Sequence, residues 1–309
     1  MDVDKIAIKT ENLSKHFGSR VAVNNLSIEI KQGEIFSLLG TNGAGKTTTI
    51  KMLSCLLQPT SGNALLKDFS ILENPLKIKE IIGVSPQETA IAVHLNSMEN
   101  LLLMGGVSGL SNETSKSRAK KLMDLLEIED RKDQARKLSG GLQRRLSIAM
   151  ALMSEPHILF LDEPTLGLDP HARKSVWNYI EKLKREKTIL LTTHYLEEAD
   201  SLSDTIAIMD KGNLTEMGSS SELKKKYTNT QILKISGENI TNEIVVILAK
   251  KGFEATITQN GIEIKAQKLD FYSIIDILRQ KNVTINGVQM KEPSLDDVFL
   301  CLTGKEVSK

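Results

Sequence analysis

The sequence has little of what builds a disulfide-linked, metal-stapled or membrane-embedded protein. Its 309 residues include two cysteines, Cys55 and Cys301, and neither lies in a CxxC or histidine-rich spacing, so disulfides and a structural metal are not expected. It has no uninterrupted apolar run of about 18 to 20 residues, the length that a membrane-spanning helix needs. Its first residues, MDVDKIAIKT, lack the basic and then apolar pattern of a secretory signal. We therefore expect a chain that works in a reducing, cytosolic compartment and does not insert into a bilayer by itself.

An excess of either charge is also absent. Forty Lys and Arg face 39 Asp and Glu, which leaves a formal net charge of +1. No long-range attraction to nucleic acid or anionic lipid follows from that balance, so nucleic acid is not expected as a partner. An apolar content of 40% and a charged content of 26% are ordinary for a globular protein, and the length suggests one large domain with a smaller one.

The order of apolar patterns predicts an α/β fold. Short β-type stretches between Lys5 and Ile35, separated by turn residues, predict an opening layer of antiparallel strands. A buried strand at residues 34–39, a glycine-rich turn and a helix at residues 46–57 follow. Residues 95–152 predict a helical insert, because apolar residues recur there at three- and four-residue spacing. Strand-like runs then alternate with helical patterns, as in a parallel sheet, at residues 158–161, 188–192 and 205–209.

A second, smaller domain is predicted after the basic run Lys224-Lys225-Lys226, which we interpret as a solvated linker. Strand, helix, strand and helix patterns succeed one another there, at residues 232–235, 244–250, 262–265 and 271–279. We place the boundary at Tyr227 to Asn229, which gives domains of residues 5–226 and 230–305.

Residues Gly40–Thr47, GTNGAGKT, match the phosphate-binding pattern G-x-x-x-x-G-K-[ST] and lie between a predicted strand and a predicted helix. Glycines let backbone N–H groups turn toward phosphate oxygens, and the helix adds the positive end of its dipole. We expect Lys46 to bind the β- and γ-phosphates of a nucleoside triphosphate and the Thr47 hydroxyl to ligate Mg²⁺. A glycine turn without a ligand is the alternative, which the flanking elements disfavour. The predicted nucleotide-contacting residues of the loop are Gly40, Thr41, Asn42, Gly43, Ala44, Gly45, Lys46, Thr47 and Thr48.

Two acidic residues, Asp162 and Glu163, end the apolar strand at residues 158–161. We expect Asp162 to hold Mg²⁺ through water and Glu163 to polarise the attacking water. Paired acids at a strand end are more often a solvated turn, but the phosphate-binding loop in the same chain favours the catalytic interpretation.

The sequence LSGGLQRR at Leu138–Arg145 resembles the signature of the ATP-binding-cassette family. The resemblance covers roughly residues 5 to 225 and includes Gln87, the Gly167-Leu168-Asp169 turn and His194, in family order. It implies a dimer, expected to be a homodimer, in which the phosphate loop of one copy and the signature of the other enclose each ATP. Leu142 stands where the commonest signature has Gln, which indicates a subfamily.

The resemblance also implies roles for single residues. Phe17 is expected against adenine, Gln87 near Mg²⁺ and the attacking water, and His194 at the γ-phosphate, and the Gln87 loop is expected to touch the transmembrane partner. The alternatives are a core aromatic, an ordinary surface glutamine and a locally satisfied histidine.

The same resemblance extends to the dimer interface. Ser139 with the N–H groups of Gly140 and Gly141 is expected to form a second anion-binding site at a helix start. Asp169 is expected to cross the dimer interface and link the two ATP sites.

The last residues, 292–304, resemble the closing motif of ATPase subunits in the daunorubicin-resistance type of exporter. Leu295, Val298, Phe299 and Leu302 fall on one face of a predicted helix. The resemblance implies a P-loop nucleoside-triphosphatase core with an N-terminal antiparallel β-layer and a helical insert, followed by a small α/β accessory domain that favours dimerisation.

The expected function is an Mg²⁺-dependent ATPase subunit that energises a separate polytopic membrane permease from the cytoplasmic face of the membrane. A ribosome- or DNA-associated cassette ATPase is the main alternative, disfavoured because the chain has one phosphate loop and no sustained heptads. A non-hydrolysing ATP-binding module is disfavoured by intact Lys46, Asp162, Glu163 and His194. The motifs predict no particular cargo.

Overall fold

The computed structural model describes residues 5–227, 231–266, 269–291 and 294–304. These residues form two units, and the division falls between Ser220 and Ser221. The elements of the first unit, in chain order, are β1 (Ile6–Phe17), β2 (Arg20–Leu26), β3 (Glu29–Lys31), β4 (Ile35–Leu39), α1 (Lys46–Leu53), β5 (Ser61–Leu66), β6 (Phe69–Ser70), α2 (Pro75–Ile81), β7 (Ile82–Ser85), α3 (Ser97–Val107), α4 (Asn112–Leu125), α5 (Gly140–Leu152), β8 (Ile158–Asp162), α6 (Pro170–Leu183), β9 (Thr188–Thr193), α7 (Leu196–Leu202), β10 (Thr205–Asp210) and β11 (Asn213–Gly218).

Two sheets build the first unit. The predicted β-layer is a sheet with the strand order β2-β1-β5-β6, in which β3 also pairs with β1. The second sheet has the order β11-β10-β4-β9-β8-β7, and all its neighbours are parallel except β10 and β11. Every residue of β4, β8 and β9 is buried, as in parallel sheets that are covered on both faces. Because parallel strands end at the same edge, the segments after these three strands converge there.

The helical insert contributes α3, α4 and α5. Buried residues of the three helices, such as Leu101, Met123 and Leu146, belong to one hydrophobic core. The helix start expected at Ser139 to Gly141 is the start of α5. Ser139 is the N-cap, with its hydroxyl accepting from the Leu142 N–H, and the two glycines are the first helical residues.

The helix after the phosphate loop is shorter than its apolar pattern suggests. The prediction ran to residue 57, whereas α1 ends at Leu53. Cys55 adopts a left-handed backbone with φ of 55°, a conformation that cannot continue a right-handed helix. The apolar residues beyond Leu53 therefore belong to a turn.

The lysine run, which the sequence predicted to be a linker, is part of a helix. The second unit begins within α8 (Ser220–Tyr227), after its first residue. The three lysines form the last turn of this helix, where cations complement the helix dipole. Leu223 anchors this helix, since its side chain is 1% exposed. The division after Ser220 therefore lies a few residues before the predicted domain end at residue 226. Residues 228 and 229 of the predicted boundary lie outside the described ranges.

The rest of the second unit is an antiparallel sheet with the order β13-β14-β12-β15. Its elements are β12 (Gln231–Glu238), α9 (Asn242–Lys250), β13 (Glu254–Thr258), β14 (Gly261–Ala266), α10 (Phe271–Gln280), β15 (Thr284–Lys291) and α11 (Leu295–Thr303). Residues of the sheet and of α9 and α10, among them Leu233, Leu248 and Ile274, form a core of their own. In α11, Leu295, Val298 and Phe299 are buried, as the helical spacing predicts. Residues 292 and 293 of the closing motif lie outside the described ranges.

Across the residues that the structure describes, no helix has the length and apolar character needed to cross a membrane.

Candidate nucleotide-binding site

The phosphate loop joins β4 to α1 through a backbone that requires glycine. Gly45 has φ of 105°, and a Cβ at this position would lie 2.4 Å from the Ala22 carbonyl oxygen. A Cβ at Gly40 would lie 2.4 Å from the Met209 carbonyl oxygen. No side chain caps the start of α1, so its first N–H groups are available to an anion.

A cavity of about 310 Å³ lies against this loop. It brings the loop together with Gln87, Glu163 and His194, which come from three other segments of the chain. Its lining residues are Arg20, Ala22, Asn42, Gly43, Ala44, Gly45, Lys46, Thr47, Thr48, Gln87, Glu163, Leu166 and His194. Most of the residues that the sequence predicted for catalysis and phosphate binding therefore surround one space.

Lys46 supplies a buried positive charge beside the loop. Its Nζ donates to the Gly40 carbonyl at 2.7 Å and the Thr41 carbonyl at 3.3 Å, and lies 3.1 Å from Glu163 Oε1. The side chain is 5% exposed. A buried ammonium needs such partners, and these hold the charge where phosphate oxygens can reach it.

Asp162 lies beside the Thr47 hydroxyl, as a magnesium site requires. Thr47 Oγ1 donates to Asp162 Oδ1 at 3.0 Å, and Thr192 Oγ1 donates to the same oxygen at 2.6 Å. Hydroxyl and carboxylate oxygens are the ligands that Mg²⁺ prefers, and the ion usually keeps waters and phosphate oxygens as further ligands. The described residues contain no cluster of three or more His, Cys, Asp or Glu that could enclose a metal. The oxygen atoms of Thr47 and Asp162 are of the kind that Mg²⁺ prefers, so the pair fits such an ion.

Glu163 is held between a cation and an imidazole. Its Oε1 pairs with Lys46, and its Oε2 lies 2.8 Å from His194 Nδ1. Its backbone is left-handed, with φ of 50°, a conformation that costs a non-glycine residue about 1–3 kcal/mol and that occurs at functional sites. The Glu163 N–H is fixed by the Thr192 carbonyl at 3.2 Å and the Thr192 hydroxyl at 3.0 Å. This backbone turn directs Glu163 toward the cavity.

The position of Gln87 is tied to the signature helix. Arg144 on α5 donates from its two terminal nitrogens to the carbonyls of Pro86 and Gln87, both at 2.7 Å. Arg144 is 4% exposed, and burial lowers the pKa of its guanidinium, while the nearby Asp162 carboxylate opposes that change. A buried, charge-assisted contact of this kind is strong, and it ties the Gln87 loop to α5.

Other predicted residues do not line this cavity. Ser139, Gly140 and Gly141 are at the start of α5, and Asp169 is the N-cap of α6. The Asp169 carboxylate accepts from the N–H groups of His171 and Ala172, and these backbone bonds, that from Ala172 foremost, hold its pKa below the usual value. These predicted residues are therefore separate from the Lys46 cavity within one copy of the chain.

Phe17, which is predicted to contact adenine, is also not among the residues that line the cavity. It ends β1 and is 50% exposed, so it is not a core aromatic. Phe17 is paired in register with Arg20 of β2, which does line the cavity.

Three polar residues at the site, Arg20, Arg144 and Thr192, were not predicted from the sequence, and neither were the apolar lining residues Ala22 and Leu166. Arg20 follows a turn next to Phe17, and Arg144 follows the signature glycines, so both stood close to recognised motifs. Thr192 ends a strand that the apolar pattern did identify, but its two hydrogen bonds depend on the pairing of β8 with β9.

Two family models match this chain. Residues 23–166 match the model for ABC transporter, and residues 218–303 match the model for ATP-binding protein DrrA1-3-like, C-terminal domain. The chain belongs to the ABC transporter family of ATP-binding proteins. It is accordingly an ATP-binding and ATP-hydrolysing protein, as the motifs predicted.

Several relatives match this chain over nearly its whole length. The linearmycin resistance ATP-binding protein LnrL of Bacillus subtilis (strain 168) is 32% identical over 306 residues, which is 96% of this chain and 98% of the relative. The daunorubicin/doxorubicin resistance ATP-binding protein DrrA of Streptomyces peucetius is 34% identical over 96% of this chain and 92% of its own. The Nod factor export ATP-binding protein I of Bradyrhizobium diazoefficiens is 34% identical over the full length of both chains.

Solved structures confirm the fold. A dimeric ATP-binding cassette, MJ0796, in a post-hydrolysis state bound to ADP and Pi is 28% identical, with a TM-score of 0.62 over 69% of this chain and 98% of that chain. An ATP-binding subunit of an ABC transporter is 26% identical, with a TM-score of 0.64 over 72% of this chain and 93% of that chain.

Proposed function

We propose that this chain is the ATPase subunit of an exporter and drives a separate polytopic membrane subunit from the cytoplasmic face of the membrane. The observation that carries the proposal is the cavity that unites Lys46, Glu163 and His194 with Gln87, whose loop is clamped to α5. Resistance and export proteins among the full-length relatives support the direction of transport. The cargo of those relatives is not carried over to this chain.

Hydrolysis would begin with phosphate binding at the loop. The N–H groups at the start of α1 and the Lys46 ammonium bind the phosphates, while Thr47 and Asp162 would hold Mg²⁺, which neutralises phosphate charge when bound. Glu163 accepts the proton of the attacking water, because its carboxylate faces the cavity. His194 keeps that carboxylate in place through the 2.8 Å contact between its Nδ1 and Oε2, and it would contact the γ-phosphate of bound ATP.

The catalytic unit would be a head-to-tail homodimer. Ser139, Gly140 and Gly141 lie at a helix start that favours anions, and they do not line their own chain's cavity. A second copy would present them to the γ-phosphate, with Asp169 at the same interface. A dimeric cassette among the solved relatives supports this arrangement.

The membrane subunit would dock on a groove of about 820 Å³ between α2, β7 and α3. Leu76 and Val107 on its rim are 74% and 75% exposed, and Pro86 in its lining precedes Gln87. Apolar side chains at this exposure are typical of a protein-protein contact. Movement of a docked segment would therefore be transmitted through the Gln87 loop, which Arg144 holds, to the cavity beside the phosphate loop.

Purification of the tagged, intact chain from its native membranes in detergent tests the partner. We expect a polytopic membrane protein to co-purify with the unchanged chain and to be lost when Leu76→Asp and Val107→Asp are combined. Val246→Asp is the matched control, because Val246 is 53% exposed on α9 and does not line the groove. If the unchanged chain purifies without any membrane protein, the exporter proposal fails and the ribosome- or DNA-associated alternative returns.

The nucleotide site has its own test. Lys46→Ala should weaken ATP binding at least tenfold, since it removes the buried ammonium beside the loop, whereas Lys51→Ala on the exposed side of α1 should leave binding unchanged. Equal ATP affinity of Lys46→Ala and the unchanged chain, measured by titration calorimetry, would contradict the loop assignment.

A further inference from the structure

His194 carries a stack of side chains on the face of its ring. The Tyr195 ring lies 4.1 Å from the His194 ring between centroids, at an interplanar angle of 38°. The guanidinium carbon of Arg173 lies 4.0 Å from the Tyr195 centroid. Arg173 belongs to α6, in the first turn after its N-cap Asp169. The stack therefore connects α6 to the histidine that contacts Glu163.

The Arg173 guanidinium lies against the Tyr195 ring. Its Nε is buried and has no hydrogen-bond acceptor within the described parts of the chain. A buried donor without an acceptor is costly, and the face of an aromatic ring offers the remaining favourable contact, through cation–π and N–H···π attraction. The Tyr195 ring therefore contacts both the Arg173 guanidinium and the His194 ring.

A second contact joins α6 to the same segment. Trp177, one turn beyond Arg173, donates from Nε1 to Glu198 Oε1 at 2.9 Å, and Thr165 donates to the same oxygen at 2.8 Å. Glu198 is fully buried. The segment from His194 to Glu198 is therefore held by α6 at both ends.

We propose that Arg173 is a positioning residue for hydrolysis: through Tyr195 it fixes the imidazole of His194 against Glu163. The inference rests on the role proposed above for His194. It makes α6, which Asp169 caps, the element that sets the orientation of His194. Loss of the stack lets the imidazole rotate away from Glu163 Oε2 without touching the phosphate-binding loop. Turnover should fall while ATP affinity is unchanged.

Steady-state phosphate release with Mg²⁺ and ATP, on the intact chain, tests this. We expect Arg173→Ala and Tyr195→Leu each to lower kcat about three- to tenfold, the range that corresponds to a partly buried cation–π contact, with KM for ATP unchanged. Tyr195→Phe keeps the ring and should stay within about twofold of the unchanged chain. If Arg173→Ala does not fold, as judged by circular dichroism, the Tyr195→Leu and Tyr195→Phe pair carries the test.

A double variant separates positioning from a general loss of structure. If Arg173 acts through His194, Arg173→Ala should have no further effect on turnover when it is added to His194→Ala. An undiminished effect in that background, or a KM that rises with the loss of kcat, would overturn the inference. If His194→Ala itself leaves kcat unchanged, the proposed role of His194 fails instead.

Discussion

Replacement of Arg144 by methionine tests how the Gln87 loop is held. The change removes two hydrogen bonds of 2.7 Å from a side chain that is 4% exposed. Bonds to charged groups contribute about 1.5–3 kcal/mol each. Part of that loss is offset, because the exposed Gln87 can turn its carbonyl to water and because a buried charge is removed. Methionine keeps an unbranched apolar stem, so we expect a net loss of about 2–4 kcal/mol in the unfolding free energy of the first unit.

Urea denaturation, monitored by the fluorescence of Trp177 in α6, measures that loss. Trp177 is the single tryptophan and lies in the first unit, so the signal reports the unit that contains the clamp. Arg136→Met is the matched control, because Arg136 is exposed. Arg144→Lys should recover part of the loss, since one ammonium cannot reproduce both parallel bonds. A free-energy change for Arg144→Met within about 0.5 kcal/mol of the control would refute the reasoning.

Three further predictions concern the cavity and its surroundings. Thr192→Val should cost about 1–3 kcal/mol and lower kcat, because it removes both hydroxyl bonds at the carboxylates, whereas Thr192→Ser should keep both; denaturation and phosphate release measure the two effects. Gly45→Ala should abolish ATP binding in calorimetry, since its Cβ would overlap a backbone oxygen. Burial raises the pKa of Glu198, so its carboxyl binds a proton more tightly in the folded chain and stability falls as pH rises above the ordinary carboxyl pKa. Glu198→Gln should therefore gain stability relative to the unchanged chain between pH 5 and pH 8 (about the range where carboxyls are ionised), while the exposed Glu197→Gln should not.

The sequence predicted the parts of the fold in which a short sequence motif also has a chemical role. The glycines, Lys46 and Thr47 of the loop stand between a strand and a helix, and Asp162 and Glu163 follow an apolar strand, so their convergence could be inferred from a parallel sheet. His194 was identified from motif order and lies 2.8 Å from Glu163.

Some strands and one helix end could not be predicted from the local sequence pattern. β7 has four residues including Gly83 and gains its place by pairing with β8, far along the chain. In the second unit, β13 and β15 escaped prediction because most of their residues are exposed and carry no clear alternation toward a core. The end of α1 was set by the left-handed backbone of Cys55, which periodicity does not report.

Glu163 is the proposed base of ATP hydrolysis, and the proposed site of that hydrolysis is a dimer interface. Glu163→Gln keeps the size of the side chain but cannot accept the proton of water, so kcat should fall at least about a hundredfold while ATP affinity is retained. Light scattering on the intact chain with ATP should then detect a persistent dimer, alongside phosphate release that is nearly abolished. Steady-state hydrolysis by Glu163→Gln at the rate of the unchanged chain would contradict the assignment.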